Sequence, residues 1–138
     1  MKYLRDTHIL SDARAQRSHS LMTWLKSMLI EDLAISVITV FELEKGVRRL
    51  ERKDPAGAAP LRRWLDGEVR VLFASRVLPV DEQVALAAAP LHVPDPIPEL
   101  DALVAATALV QNLTLVTRNV KDFAGTGVRL LNPWESAD

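Results

Sequence analysis

Residues 33–53, LAISVITVFELEKGVRRLERK, change their periodicity midway. Leu33 to Val37 is a β-branched run of the kind buried strands carry, and from Thr39 to Lys53 the apolar Val40, Leu43, Val47 and Leu50 recur at helical spacing. A strand that runs almost directly into a helix is half of a βα unit, and parallel sheets are assembled from such units. Lys2–Arg5 is a second strand, ending at Asp6, and Leu113–Thr117 (LTLVT) is the clearest strand of all. Weaker strand candidates are Arg76–Val80, where Pro79 suits an edge or a strand end, and Val128–Leu131.

Helical patterns fill the intervals. Ser20–Ile30 sets Leu21, Trp24, Leu25, Met28 and Leu29 on one stripe, Pro60–Phe73 and Glu82–Ala89 follow, and Leu100–Val110 is apolar nearly all round, as a buried helix is. Strands alternating with helices predict right-handed crossovers and an α/β fold, a three-layer α/β/α sandwich with a mostly parallel central sheet. Ala89–Glu99 carries four prolines and is expected to be a stiff irregular loop.

Length and composition narrow the function classes. The 138 residues suit one domain over 1–138, and 49% apolar with 25% charged residues is an ordinary globular balance. A net charge of −1 excludes bulk polycation binding to nucleic acid, so any such contact must be local. The absence of cysteine excludes disulfides, thiolate zinc ligands and a cysteine nucleophile, and suits a reducing cytoplasm. Too few apolar residues precede Asp6 for a signal-peptide core of about 7–15 residues, and no apolar run reaches the roughly 18 of a membrane span, so a cytoplasmic location is expected.

The chemistry lies in four acids far apart in the chain. Asp6 ends the first strand, Glu42 lies near the start of the helix after LAISV, Asp101 opens the apolar helix and Asp122 closely follows LTLVT. In a parallel α/β fold those places meet at one sheet edge. Carboxylates brought together repel unless a cation offsets the repulsion, and hard oxygen donors without Cys or a His set favour Mg²⁺ or Mn²⁺ over zinc. Such a centre hydrolyses phosphodiesters by lowering the pKa of a bound water. Thr117, at its strand's end, is placed to orient a water or phosphate, and Arg118 to touch a scissile phosphate.

Each feature has a plainer explanation. Thr39 with Glu42, and Asn119 with Asp122, match capping boxes; Asp101 complements a helix dipole; Asp6 can serve loop amides. Capping alone does not require the acids to share one edge. Arg48, Arg49, Arg52, Lys53, Arg62 and Arg63 form the densest basic stretch, either a phosphate track or a solvated helix face. His8 stands two residues past Asp6, while His19 and His92 show no ligand spacing. Arg5 is anomalous, because a charge in a central strand is costly unless paired. It either pairs with a neighbouring carboxylate or is a substitution that attenuates activity.

The blocks LRDTHILSD, SVITVFELEKGV, DALVAATAL and LTLVTRNVKDF, in that order, resemble the signature blocks of PIN-domain ribonucleases. The resemblance covers nearly the whole chain and is strongest to VapC-type toxins of toxin–antitoxin pairs, including the FitB-like branch with its C-terminal NPW, here Asn132, Pro133 and Trp134. It implies that Asp6, Glu42 and Asp101 are the family's acids for Mg²⁺ or Mn²⁺, with Asp6 and Asp101 as direct ligands. The fourth acid falls at the position of Asn119 or at Asp122; Asn119 stands where some relatives have aspartate, and His8 where the family commonly has Asn. The resemblance further implies an endoribonuclease cutting RNA of the tRNA or rRNA class, a VapB-type antitoxin partner and a homodimer. Other readings are a DNA- or flap-directed nuclease of the same fold, a catalytically silent PIN-like binding module, and a phosphate-accepting regulator, for which Lys121 is poorly placed.

Overall fold

The computed structural model describes residues 1–8, 10, 14 and 19–133. Five strands, β1 (Tyr3–Arg5), β2 (Leu33–Ser36), β3 (Val77–Leu78), β4 (Thr114–Val116) and β5 (Leu130–Leu131), form one sheet in the order β3-β2-β1-β4-β5. Every pairing is parallel, with Leu4 opposite both Ala34 and Leu115. The helices are α1 (His19–Ser27), α2 (Val37–Lys53), α3 (Pro55–Trp64), α4 (Arg70–Leu72), α5 (Glu82–Ala88) and α6 (Glu99–Gln111). This is the expected α/β sandwich, and its sheet is parallel throughout.

Side-chain alternation along the strands divides the core between the two faces. Leu4, Ala34 and Leu115 face α6, where they meet Val104, Ala105 and Ala108. Leu33 and Ile35 face the other way with Tyr3, against Leu43 and Val47 of α2 and the Leu65, Val69 and Phe73 that follow α3. Each large apolar side chain buried here contributes about 1.5–3 kcal/mol. Ala102, Ala105, Ala106 and Ala108 are all completely buried, so α6 lies close to its neighbours and has no room for larger side chains.

Local chemistry sets the helix ends, in several places away from where the pattern indicates. Ser36 ends β2 in an extended conformation and its Oγ accepts the Ile38 N–H at 3.0 Å, so α2 starts directly at Val37. The expected Thr39–Glu42 capping box is therefore absent: Thr39 is inside the helix and fully buried, and Glu42 lies in the second turn. Asp54 caps α3 by accepting the Gly57 N–H at 3.0 Å, which moves that helix start from Pro60 back to Pro55. The run to Phe73 is also not one α-helix, since Leu65–Val69 opens into a π turn before α4. Within the proline-rich loop, Ala89–His92 forms a 3₁₀ turn that the proline count had argued against. α6 ends where Asn112 adopts the left-handed conformation, φ 56°.

Candidate active site

The C-terminal edge of the sheet gathers the four acids. Asp6 leaves β1 with its N–H bonded to Val116 O of β4 at 3.0 Å, Asp101 lies in the first turn of α6, and Asp122 in the 3₁₀ turn Val120–Phe123 after β4. Together with Glu42 they line one cavity of about 190 Å³, joined by Thr7, His8 and Asn119, with Val104 and Phe123 as apolar wall.

Hydroxyl groups hold two of the carboxylates. Thr117 Oγ1 donates to Asp6 Oδ2 at 2.7 Å and accepts the Asn119 N–H at 3.0 Å, so one side chain ties the end of β4 to Asp6 and to the turn carrying Asp122. Thr7 Oγ1 donates to Glu42 Oε1 at 2.7 Å and lies 3.3 Å from the buried Thr39 Oγ1. A hydroxyl has one proton, so with Thr7 committed to Glu42 the Thr39 hydroxyl is the donor in the second contact. The sequence pattern pointed to Thr117; it missed Thr7 and Thr39, although Thr7 directly follows Asp6.

Electrostatics mark Asp101 as the centre of the cluster. Burial pushes its carboxyl above the ordinary range, and the charges of Asp6, Asp122 and Glu42 push it further, against a smaller opposite pull from His8. The acids therefore feel one another, as widely spaced capping residues would not. Asn119 precedes the 3₁₀ turn without a side-chain cap bond, so the Asn119–Asp122 capping box is absent.

The donor chemistry fits a hard divalent cation, with carboxylate oxygens supplemented by hydroxyls. Among the described residues, no three His, Cys, Asp or Glu side chains are already closed around a single point.

Other expected contributors lie elsewhere. Arg118 does not line the cavity. Arg62 donates to Glu44 Oε1 and Oε2 at 2.8 and 2.9 Å and to Glu51 Oε1 at 3.0 Å, and Arg48 reaches Glu44 at 2.6 Å. This network commits two arginines of the basic stretch to carboxylates, which weighs against the phosphate-track alternative, and Arg62 holds the Glu44 carboxyl at about 2. His92 Nδ1 accepts the Ile97 N–H at 3.3 Å inside the proline loop. Trp24 packs edge-on against Tyr3, 5.5 Å between centroids, whereas Trp134 of the NPW triplet lies outside the described residues. Arg5 forms no ion pair with a carboxylate among the described residues, contrary to the expected pairing; its guanidinium lies 5.5 Å from the Phe73 ring centre, and burial lowers its pKa to about 10.

Comparison with known proteins agrees with this architecture. The PIN domain family matches residues 3–127. Toxin FitB of Neisseria gonorrhoeae is 36% identical over 138 residues, spanning 95% of this chain and 97% of that protein. VapC ribonuclease Y4jK of Sinorhizobium fredii is 32% identical over 140 residues, spanning 96% of this chain and 97% of that one. Among solved structures, FitAB bound to an IR36 DNA fragment superposes with a TM-score of 0.89 at 32% identity, over 99% of this chain and 98% of the other. FitAcB from Neisseria gonorrhoeae gives 0.88 at 34% identity, over 96% and 99%. A family match along most of the chain, with Toxin FitB and Y4jK above 30% identity at nearly full length, means that this protein belongs to the PIN-domain family.

Proposed function

We propose that residues 1–138 act as one metal-dependent endoribonuclease domain, the toxin of a toxin–antitoxin pair, in the cytoplasm. The observation that carries the reading is a single cavity lined by Asp6, Glu42, Asp101 and Asp122, in which burial and then the other three acids raise Asp101. The ribonuclease name of Y4jK and the toxin name of FitB support the class of activity. Among the described residues no helix is long and apolar enough to cross a membrane.

Asp6 and Asp101 would hold Mg²⁺, or Mn²⁺, with Glu42 and Asp122 completing the acidic cluster. A cation held by these carboxylates would supply Lewis-acid chemistry, acidifying a water and offsetting charge on the scissile phosphate. The protein's own part is positioning. Thr117, through its 2.7 Å bond, keeps Asp6 Oδ2 turned toward β4 and leaves Oδ1 for the cavity. Thr7 holds Glu42 Oε1 in the same way, leaving Oε2 to accept a hydrogen bond from water. Asn119, with neutral amide chemistry, adds a donor without adding charge, and Val104 and Phe123 keep one wall dry, which strengthens each polar contact.

RNA of the tRNA or rRNA class is the proposed substrate and a VapB-type antitoxin the proposed partner, with a homodimer as the resting state. Support for the partner comes from neighbours solved as complexes, FitAB and the VapBC of Rickettsia felis, each bound to DNA. The decisive experiment incubates the purified chain with total tRNA and rRNA in Mg²⁺, in EDTA and as Asp101→Asn. Cutting that needs Mg²⁺ and the Asp101 carboxylate is expected. No cutting with any divalent metal, by this chain or by Arg5→Leu, refutes the enzyme and leaves a catalytically silent binding module.

A further inference from the structure

Arg5 is a charged side chain that the fold buries without supplying all the acceptors it needs. It is only 6% exposed, and its Nε–H has no hydrogen-bond partner. As the third residue of β1 it shares the face of Tyr3, pointing away from α6 toward Phe73. The Phe73 ring attracts the cation but offers no lone pair to an in-plane N–H. Arg76 makes an instructive contrast: its guanidinium is also 5.5 Å from the Phe73 ring centre, yet its Nε donates to Leu33 O at 2.9 Å and its Nη2 to Leu72 O. Two arginines flank one ring, and only Arg76 has its Nε–H satisfied.

A cavity of about 340 Å³ opens beside the unsatisfied one. Leu10, Trp64, Val69 and Phe73 give it apolar walls, and its charged lining is Arg5, Arg14 and Glu68. Arg14 lies over the Trp64 ring, 5.8 Å from its centre. Among the described residues Glu68 is the one acid in that lining, and no ion pair between it and Arg5 is found. With Arg76 behind Phe73, the described residues of the neighbourhood hold more positive than negative charge, and the apolar walls strengthen any charge-assisted bond formed inside.

We propose that this pocket is a binding site for a small oxyanion, a carboxylate or a phosphate group, that accepts the Arg5 Nε–H. A planar guanidinium matches either group through paired N–H donors, whereas a neutral ligand would leave the buried charge unbalanced. The space suits one such group on a small or apolar body. The site is separate from the acidic cavity, since the two share no lining residue and have opposite charge. It does not depend on the nuclease reading.

The test uses the full chain in EDTA, melted in sodium acetate, sodium phosphate or sodium chloride at matched ionic strength, alongside Arg5→Met. The Arg5 Nε–H resonance is followed in ¹H–¹⁵N spectra over the same titrations. Saturating oxyanion is expected to raise the wild-type Tm by about 3 °C over chloride and to shift the Nε–H resonance saturably, with no such rise in Arg5→Met. A response to both probes supports the shared oxyanion chemistry, acetate alone narrows the ligand to a carboxylate, and phosphate alone to a phosphate. Equal oxyanion responses in wild type and Arg5→Met, or an unmoved Nε–H resonance, overturn the proposal. So does Glu68→Gln shifting that resonance with no anion added while the wild type ignores both probes, for then Glu68 is already the acceptor. Arg5→Met removes a buried charge and keeps an apolar stem, and its own melt reports whether it folds.

Discussion

Glu42 and Glu44 are two residues apart on α2 and belong to opposite electrostatic regions. Glu44 is enclosed by Arg62 and Arg48, with its carboxyl held at about 2, and its charge is settled within the protein. Glu42 shares a cavity with Asp6, Asp101 and Asp122, and there burial, together with the neighbouring acids, raises Asp101 where Arg62 lowers Glu44. One helix thus separates charge that serves the fold from charge kept for something outside it. Ion pairs of the first kind add modestly to stability. Clustered acids of the second kind lower stability until a counter-ion arrives, and that cost is what makes them informative about function.

The largest test of this contrast is on activity. Replacing Asp101 by Asn is expected to reduce RNA cleavage by about 100-fold or more, while Arg62→Met, on the self-neutralised side, leaves cleavage within a few-fold; gel assays on tRNA and rRNA in Mg²⁺ separate the two. Similar losses from both would dissolve the distinction. Next in size is Thr117→Val, which deletes the hydroxyl on Asp6 Oδ2 and preserves shape. It is expected to weaken Mn²⁺ binding by about 10-fold, read by calorimetry, since partners that orient a ligand typically contribute 10–100-fold. Unchanged affinity would remove Thr117 from the site.

Stability effects are smaller and have opposite signs. Arg62→Met should lower stability modestly at pH 7, because Arg62, Glu44 and Glu51 are all partly exposed and solvent screens their pairing. The folded Glu44 carboxyl lies below its ordinary 4.5, so the stabilisation is present above that value and is lost as pH falls toward about 2. Melts at pH 7 and pH 3 should therefore show the penalty shrinking in acid. For Asp101 the folded value is raised, so its carboxylate opposes folding above the ordinary 3.8, and the effect vanishes at lower pH, where both states are protonated. Metal-free Asp101→Asn should accordingly melt about 1–3 °C above wild type at pH 7 and level with it near pH 3. A lower melt at pH 7 would mean that Asp101 is a structural acid.

Much of the site was legible because the acids sit at positions defined by local pattern. Asp6 and Asp122 follow strand runs, Asp101 opens an apolar helix, and a parallel sheet places all such positions at one edge. The helix starts were less legible. Thr39 matches an N-cap in sequence, but the extended backbone at Ser36 makes that residue the cap and leaves Thr39 in contact with Thr7. The basic stretch from Arg48 to Arg63 stayed open between a phosphate track and a solvated helix face for a related reason. A count of cations contains no record of Glu44 and Glu51, which take up Arg62 once α3 folds back on α2.

The sequence by itself determined the alternation of strands and helices, the apolar character of α6 and the placing of acids after strands, because these follow from periodicities of two and 3.6 residues within short windows. Only the tertiary structure decided which polar groups meet. Thr117 reaches Asp6 across 111 positions and Arg62 reaches Glu44 across 18, while the Arg5 Nε–H finds no partner among the described residues. Such choices depend on which side chains the packed elements bring within about 3 Å, a distance no local pattern encodes.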